Sequence, residues 1–123
     1  MTREEFEKVV AEAFEFLPER FKTAIENVGI QVEDFPGDEL VAKLGLNSKY
    51  QLFGLYQGIP LTKRGTWYGM SPIVPDNILI FQKNIERYCS TDLEVKRKIV
   101  EVLIHEIGHY FGMTEDEIRA AGY

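Results

Sequence analysis

The sequence has a single cysteine, Cys89, among its 123 residues. One cysteine cannot form an intramolecular disulfide, so the chain is not a disulfide scaffold, and we expect a reducing compartment, the cytoplasm. No apolar run approaches the ~20 residues that a membrane-spanning helix needs. The polar, acidic residues 1–5 do not resemble a secretory signal. We therefore expect no membrane partner.

Positive charge is also scarce and scattered. The chain carries 14 Lys and Arg against 20 Asp and Glu, which gives a formal net charge of −6. Nucleic acids bind proteins through clustered basic side chains, so we expect no nucleic-acid partner. With 45% hydrophobic and 28% charged residues the composition is that of an ordinary globular protein. The length predicts one domain over residues 1–123.

Periodicity and turn residues predict a mixture of helices and short strands. Apolar residues recur at helical spacing over residues 2–17, and Pro18 favours the start of a second helix that Gly29 ends. Alternating or apolar runs predict strands at residues 30–33, 52–56 and 78–81. Helical turns are expected over 38–44 and 82–89, and mostly loop over 61–76.

The last third of the chain predicts one long helix and one short one. Thr91, followed three residues later by Glu94, is typical of a helix N-terminus, and no proline interrupts the sequence to Phe111. Gly112 is suited to end that helix in a left-handed conformation. Thr114 and Glu117 predict a further cap and a final short helix.

The long predicted helix carries the motif HExxH at residues 105–109. The only two histidines of the chain, His105 and His109, are four residues apart and therefore project from the same side of a helix. Imidazole nitrogens at this spacing suit Zn²⁺. Glu106 points ~100° away around a helix and is placed to act as a general base on a water at the metal.

The surroundings of the motif favour a real site over two solvent-exposed histidines. Most other positions in the last turns of this helix are apolar, which is typical of a buried helix. Buried histidine and glutamate side chains need polar partners, and a metal with its water supplies them.

A catalytic zinc site needs a third protein ligand. The motif extends to HExxHxxGxxE, and Gly112 allows the chain to turn back toward the histidines. Glu117 is expected to cap the last helix with Thr114, which leaves Glu115 and Asp116 as candidates. The spacing favours Glu115, although acidic residues are common in any first helical turn.

These segments together resemble the minimal zincin-like bacterial metallopeptidase family. The similarity spans nearly the whole chain and lies in residues 32–34, 55–65, 74–76, the HEIGHYFG segment and residues 119–123. It implies an α+β zincin-like fold, in which a small mixed sheet packs against the HExxH helix and the N-terminal helices. It also implies His105, His109 and Glu115 as zinc ligands and Glu106 as the base. Gln57 and Tyr110 depart from the Glu and His common in relatives.

The sequence thus predicts a zinc-dependent metallohydrolase, most simply a peptidase with a peptide or protein substrate. The alternative is a zinc-stabilised binding module with little or no turnover. A metal-free interaction domain would require the HExxH spacing to be a coincidence.

Overall fold

The computed structural model describes residues 1–26, 28–58 and 76–120, with the side chain of Ala24 left out. These residues form six α-helices and three strands. In chain order they are α1 (Arg3–Glu15), α2 (Glu19–Ala24), β1 (Gly29–Glu33), α3 (Asp38–Lys43), β2 (Gly54–Gln57), β3 (Asn77–Phe81), α4 (Gln82–Tyr88), α5 (Asp92–Tyr110) and α6 (Glu115–Ala120). A 3-10 turn at Lys49–Gln51 precedes β2.

The three strands form one sheet in the order β1-β3-β2. The central strand β3 pairs in parallel with β1 and antiparallel with β2. Its residues Ile78 and Ile80 are fully buried, as expected for a short apolar run in the middle of a sheet. The α+β fold with a small mixed sheet, predicted from the sequence, is confirmed.

The predicted helix caps are present. The Thr2 hydroxyl accepts a hydrogen bond from the Glu5 amide at 3.0 Å, and the Thr91 hydroxyl accepts one from the Glu94 amide at 3.1 Å. At α6 the Thr114 hydroxyl accepts from the Glu117 amide. Each hydroxyl thereby satisfies an amide that a helix N-terminus would leave without a partner.

The largest difference from the prediction is in α2, which ends at Ala24 and not at Gly29. Gly29 is instead the first residue of β1, and its amide donates to the Asp76 carbonyl at 3.1 Å. α1 ends at Glu15, two residues early, and Gly37 occupies the N-cap position of α3. The second strand covers Gly54–Gln57 in place of 52–56. It starts late because the Leu52 carbonyl accepts a hydrogen bond from the Asn84 side chain and not from a neighbouring strand. The expected loop over 61–76 lies outside the described residues, apart from Asp76.

The core forms where α1 and α5 pack against the sheet. Its members are buried apolar side chains from all three elements, among them Phe6, Ile80, Ile99, Leu103 and Ile107. Full burial of one such side chain contributes roughly 1.5–3 kcal/mol to folding. α5 is therefore held firmly along one face, which fixes where its other face presents side chains. In the part of the chain that the structure describes, no helix is long and apolar enough to cross a bilayer.

Candidate active site

The HExxH motif lies in the last two turns of α5. Leu103 and Ile107 are fully buried and anchor these turns to the core. The side chains of His105 and His109 are half-buried, with exposed fractions of 21% and 38%. Glu106 is buried between them and the sheet. The helix thus presents both imidazoles toward a solvent-accessible surface while the glutamate lies deeper.

A tight turn after α5 brings the acidic residues back toward the histidines. Gly112 has φ 78°, a left-handed conformation that suits glycine. Its amide donates to the His109 carbonyl, and the Met113 amide donates to the Gly108 carbonyl, both at 2.9 Å. This hydrogen-bond pair is the Schellman ending that the glycine predicts.

Close packing between α5 and α6 then sets the position of α6. A methyl group added at Gly108 would lie 2.6 Å from Cδ1 and 2.7 Å from Cγ1 of Ile118, a fully buried residue of α6. The absence of a side chain at Gly108 therefore lets Ile118 lie directly on the helix. This packing gives a reason for a glycine inside α5, where glycine costs about 1 kcal/mol relative to alanine.

The α6 position places the Glu115 carboxylate across both imidazoles. Its Oε2 lies 3.2 Å from Nδ1 of His105, and its Oε1 lies 3.4 Å from Nε2 of His109. Asp116 is exposed and makes no ion pair with a described residue. The reciprocal hydrogen bonds between Thr114 and Glu117 hold the other acidic residue away, as predicted. The geometry thus brings Glu115, and not Asp116, to the histidines.

Glu106 is held by the backbone of β2. The Tyr56 amide donates a hydrogen bond to Glu106 Oε1 at 2.7 Å, and the same oxygen lies 3.6 Å from Nδ1 of His109. The sequence could not reveal this donor, because a main-chain amide is present whatever the residue type. The residue in the sequence that relates to this contact is Gly54. A methyl group added there would lie 2.5 Å from Val102 Cγ1. β2 can therefore approach α5 closely.

The two positions that depart from the family pattern lie beside this contact. The Tyr110 ring packs edge-on against the Tyr56 ring, with 5.7 Å between the centroids. Gln57 is exposed at the end of β2. Neither residue is in the group formed by the two histidines, Glu106 and Glu115.

Carboxylates control the charge of the site. The pKa of His109 is raised from its usual 6.5, first by its hydrogen bond to Glu106 and also by the negative charges of Glu106 and Glu115, while partial burial opposes the shift. The same two carboxylates that favour a proton on His109 favour any cation placed between these side chains.

The side chains suit zinc in kind. Two imidazoles and one carboxylate are a common donor set for catalytic Zn²⁺. Glu115 approaches the histidines through two different oxygens, at 3.2 and 3.4 Å, where tetrahedral ligands at ~2.0–2.1 Å from an ion stand ~3.3 Å apart. Within residues 1–26, 28–58 and 76–120, however, no group of three or more His, Cys, Asp or Glu side chains is arranged to hold an ion.

A groove of about 220 Å³ opens onto the site. The segment from Gln51 to Gly54 forms one wall, and α5 forms the other. His105, Glu106 and Glu115 lie in this groove together with Lys98 and Phe53. A larger groove of about 320 Å³ lies between α1 and β1 but contains none of the four site residues. The chemistry therefore identifies the smaller groove as the candidate active site.

Comparison with protein-family models identifies a family for the chain. The family model for zincin-like metallopeptidases matches residues 25–123. The match therefore begins at the end of α2 and includes the sheet, the HExxH helix and α6. No curated protein matches the chain.

Proposed function

Because the chain belongs to the zincin-like metallopeptidase family, we propose that it is a zinc-dependent peptidase. In this proposal His105, His109 and Glu115 hold Zn²⁺, and Glu106 is the general base. The observation that carries the proposal is the Glu115 carboxylate lying 3.2 and 3.4 Å from the two histidines. The three proposed ligands come from two helices that the turn at Gly112 brings together.

Zinc in such a site acts as a Lewis acid that lowers the pKa of a water and polarises a peptide carbonyl. The protein must then supply a group that accepts a proton and later donates it to the leaving amine. Glu106 suits this role because it is buried and its carboxylate lies 3.6 Å from Nδ1 of His109. The Tyr56 amide fixes the carboxylate through Oε1, and Oε2 is the oxygen that we assign to proton transfer.

The substrate class is proposed from the family and from the groove at the site. The matching family model is that of zincin-like metallopeptidases. The groove that contains His105, Glu106 and Glu115 lies between α5 and the segment from Gln51 to Gly54. We therefore propose a peptide or protein substrate.

One observation favours the alternative, a zinc-stabilised binding module. The Glu106 carboxylate is already engaged with the Tyr56 amide and lies 3.6 Å from Nδ1 of His109. A glutamate tied into β2 in this way would also serve a purely structural role, joining the sheet to α5.

The variant Glu106→Gln distinguishes the two functions. The amide has nearly the shape of the carboxylate, its oxygen can still accept from the Tyr56 amide, and all three proposed ligands remain, so we expect folding and zinc content to be unchanged. An amide cannot accept a proton, and loss of a general base lowers turnover by ~10²–10⁴-fold. Zinc content and hydrolysis of a broad peptide library should be measured on the same preparations. Asp116→Asn, a neutralised acid outside the site, is the matched control.

Each other result has a definite meaning. Loss of zinc from Glu106→Gln would make Glu106 a ligand and contradict the assigned role. Equal turnover in the variant and the wild type would show that Glu106 is not the base. Zinc bound by both proteins with no cleavage by either would favour the binding module.

A further inference from the structure

A second cavity, of about 210 Å³, continues the groove beyond Phe53. Tyr50, Phe53, Asn84, Arg87 and Tyr88 line it, and we call it the Arg87 pocket. Phe53 also lines the groove that contains His105, so the two cavities share a wall. A chain lying in the groove would therefore reach the pocket.

The pocket contains a buried acceptor without a hydrogen bond. Asn84 is 2% exposed, and its Nδ2 donates to the carbonyls of Lys49 and Leu52, both at 2.7 Å. These two carbonyls fix which end of the amide is nitrogen, since only NH₂ can donate to both. The remaining atom, Oδ1, is buried and has no hydrogen-bond partner. Buried polar atoms of this kind are uncommon in folded proteins.

The pocket also contains a cation without an acidic partner. The Arg87 guanidinium lies 3.8 Å from the centroid of the Tyr50 ring and makes no ion pair with a residue that the structure describes. Lys49 does not line the pocket; its Nζ lies 4.4 Å from the Phe35 centroid and 5.4 Å from the Tyr50 centroid. Lys98, in contrast, is paired with Glu101 at 3.2 Å.

These groups define the ligand chemistry. Arg87 offers several donors suited to a carboxylate, and an N–H or O–H group would satisfy Asn84 Oδ1. A peptide carries both, because an amide N–H lies next to its terminal carboxylate or to an acidic side chain. We propose that the Arg87 pocket binds a carboxylate of the peptide substrate, an inference that rests on the proposed peptidase function.

A binding experiment tests the pocket without requiring turnover. Three probes are titrated into isotopically labelled Glu106→Gln protein: N-acetyl-tetraalanine with a free carboxylate, its C-terminal amide, and the same amide with Glu as the last residue. The side-chain signals of Asn84 and Arg87 report binding in NMR spectra. We expect at least one carboxylate probe to bind about tenfold more tightly than the alanine amide. Arg87→Gln should remove that preference. Arg97→Gln, which removes the same group from a cavity on another face of α5, should keep it.

The probes separate the two sources of carboxylate. Preference for the free acid alone assigns the pocket to a peptide C-terminus, and preference for the Glu amide assigns it to an acidic side chain. Equal affinities for all three probes, or a preference that survives Arg87→Gln, would overturn the proposal. A carboxylate preference in a protein that cleaves nothing would keep the pocket and reject the peptidase function.

Discussion

The contact between Gly108 and Ile118 makes Gly108→Ala a sharp test of how the site is built. On helix propensity alone, alanine should stabilise α5 by about 1 kcal/mol. The new methyl group would, however, lie 2.6 Å from Ile118 Cδ1 and 2.7 Å from Cγ1. Relieving such overpacking costs about 1–3 kcal/mol. We therefore expect a net destabilisation of roughly 0–2 kcal/mol, opposite in sign to the propensity.

The larger effect should be on zinc. Ile118 is fully buried, so α6 can relieve the overlap only by moving away from α5, and Glu115 moves with it. Mutations that displace the supports of a metal ligand typically weaken metal binding 10–100-fold. Urea unfolding of the zinc-free protein measures the first effect, and competition with a chromophoric chelator measures the second.

A second substitution provides the control. Ile118→Ala removes both Cδ1 and Cγ1, the two atoms that the new methyl group would overlap, at a cost of about 2–5 kcal/mol. In the double variant Gly108→Ala/Ile118→Ala we expect zinc affinity to recover toward that of Ile118→Ala alone. The reasoning fails if Gly108→Ala stabilises the protein by the full propensity difference and binds zinc as the wild type does.

Three further predictions concern the ligands and the charge of the site. His105→Ala or His109→Ala should abolish binding of one Zn²⁺ per chain, and stoichiometric zinc in both purified variants would refute the assignment. Glu115→Ala should weaken zinc binding far more than Asp116→Ala, because of these two residues only Glu115 contacts the histidines. Chelator competition measures both affinities, and weaker zinc binding by Asp116→Ala would contradict the prediction. In zinc-free protein the raised pKa of His109 makes its protonated form stabilising below pH 6.5, and this contribution is lost as pH rises through the folded-state pKa. The free energy of unfolding of the wild type minus that of His109→Gln should therefore decrease from pH 6 to pH 8 in chemical denaturation, and a constant difference would contradict the coupling.

The elements that the sequence predicted well are those determined over a few residues. A threonine cap depends on its own hydroxyl and an amide three residues later, and both α5 and α6 begin as Thr91 and Thr114 indicate. The turn at Gly112 is equally local. Because residues 105–115 contain one helix end, one such turn and one cap, the proximity of His105 and Glu115 was accessible from spacing alone.

Contacts between distant segments could not be predicted in this way. The start of β2 depends on Asn84. Its side chain donates hydrogen bonds to two main-chain carbonyls that lie 35 and 32 residues earlier in the chain. The Glu106 partner, the Tyr56 amide, is 50 residues away and is a backbone group. The need for glycine at position 108 becomes evident only when α6 packs on α5, because Ile118 then lies against that position. In each case tertiary packing determines the partner, and the sequence near the residue concerned contains no pattern that indicates it.

Local contacts and contacts between distant segments support different proposed functions of the site. The proposed ligands are positioned by the α5–α6 turn, whose hydrogen bonds and packing lie within residues 105–118. Glu106 is oriented by β2, which depends in turn on its pairing with β3. Metal affinity and proton transfer therefore rest on different contacts. A disturbance of the sheet should reach Glu106 through the Tyr56 amide and leave the spacing between Glu115 and the histidines unchanged.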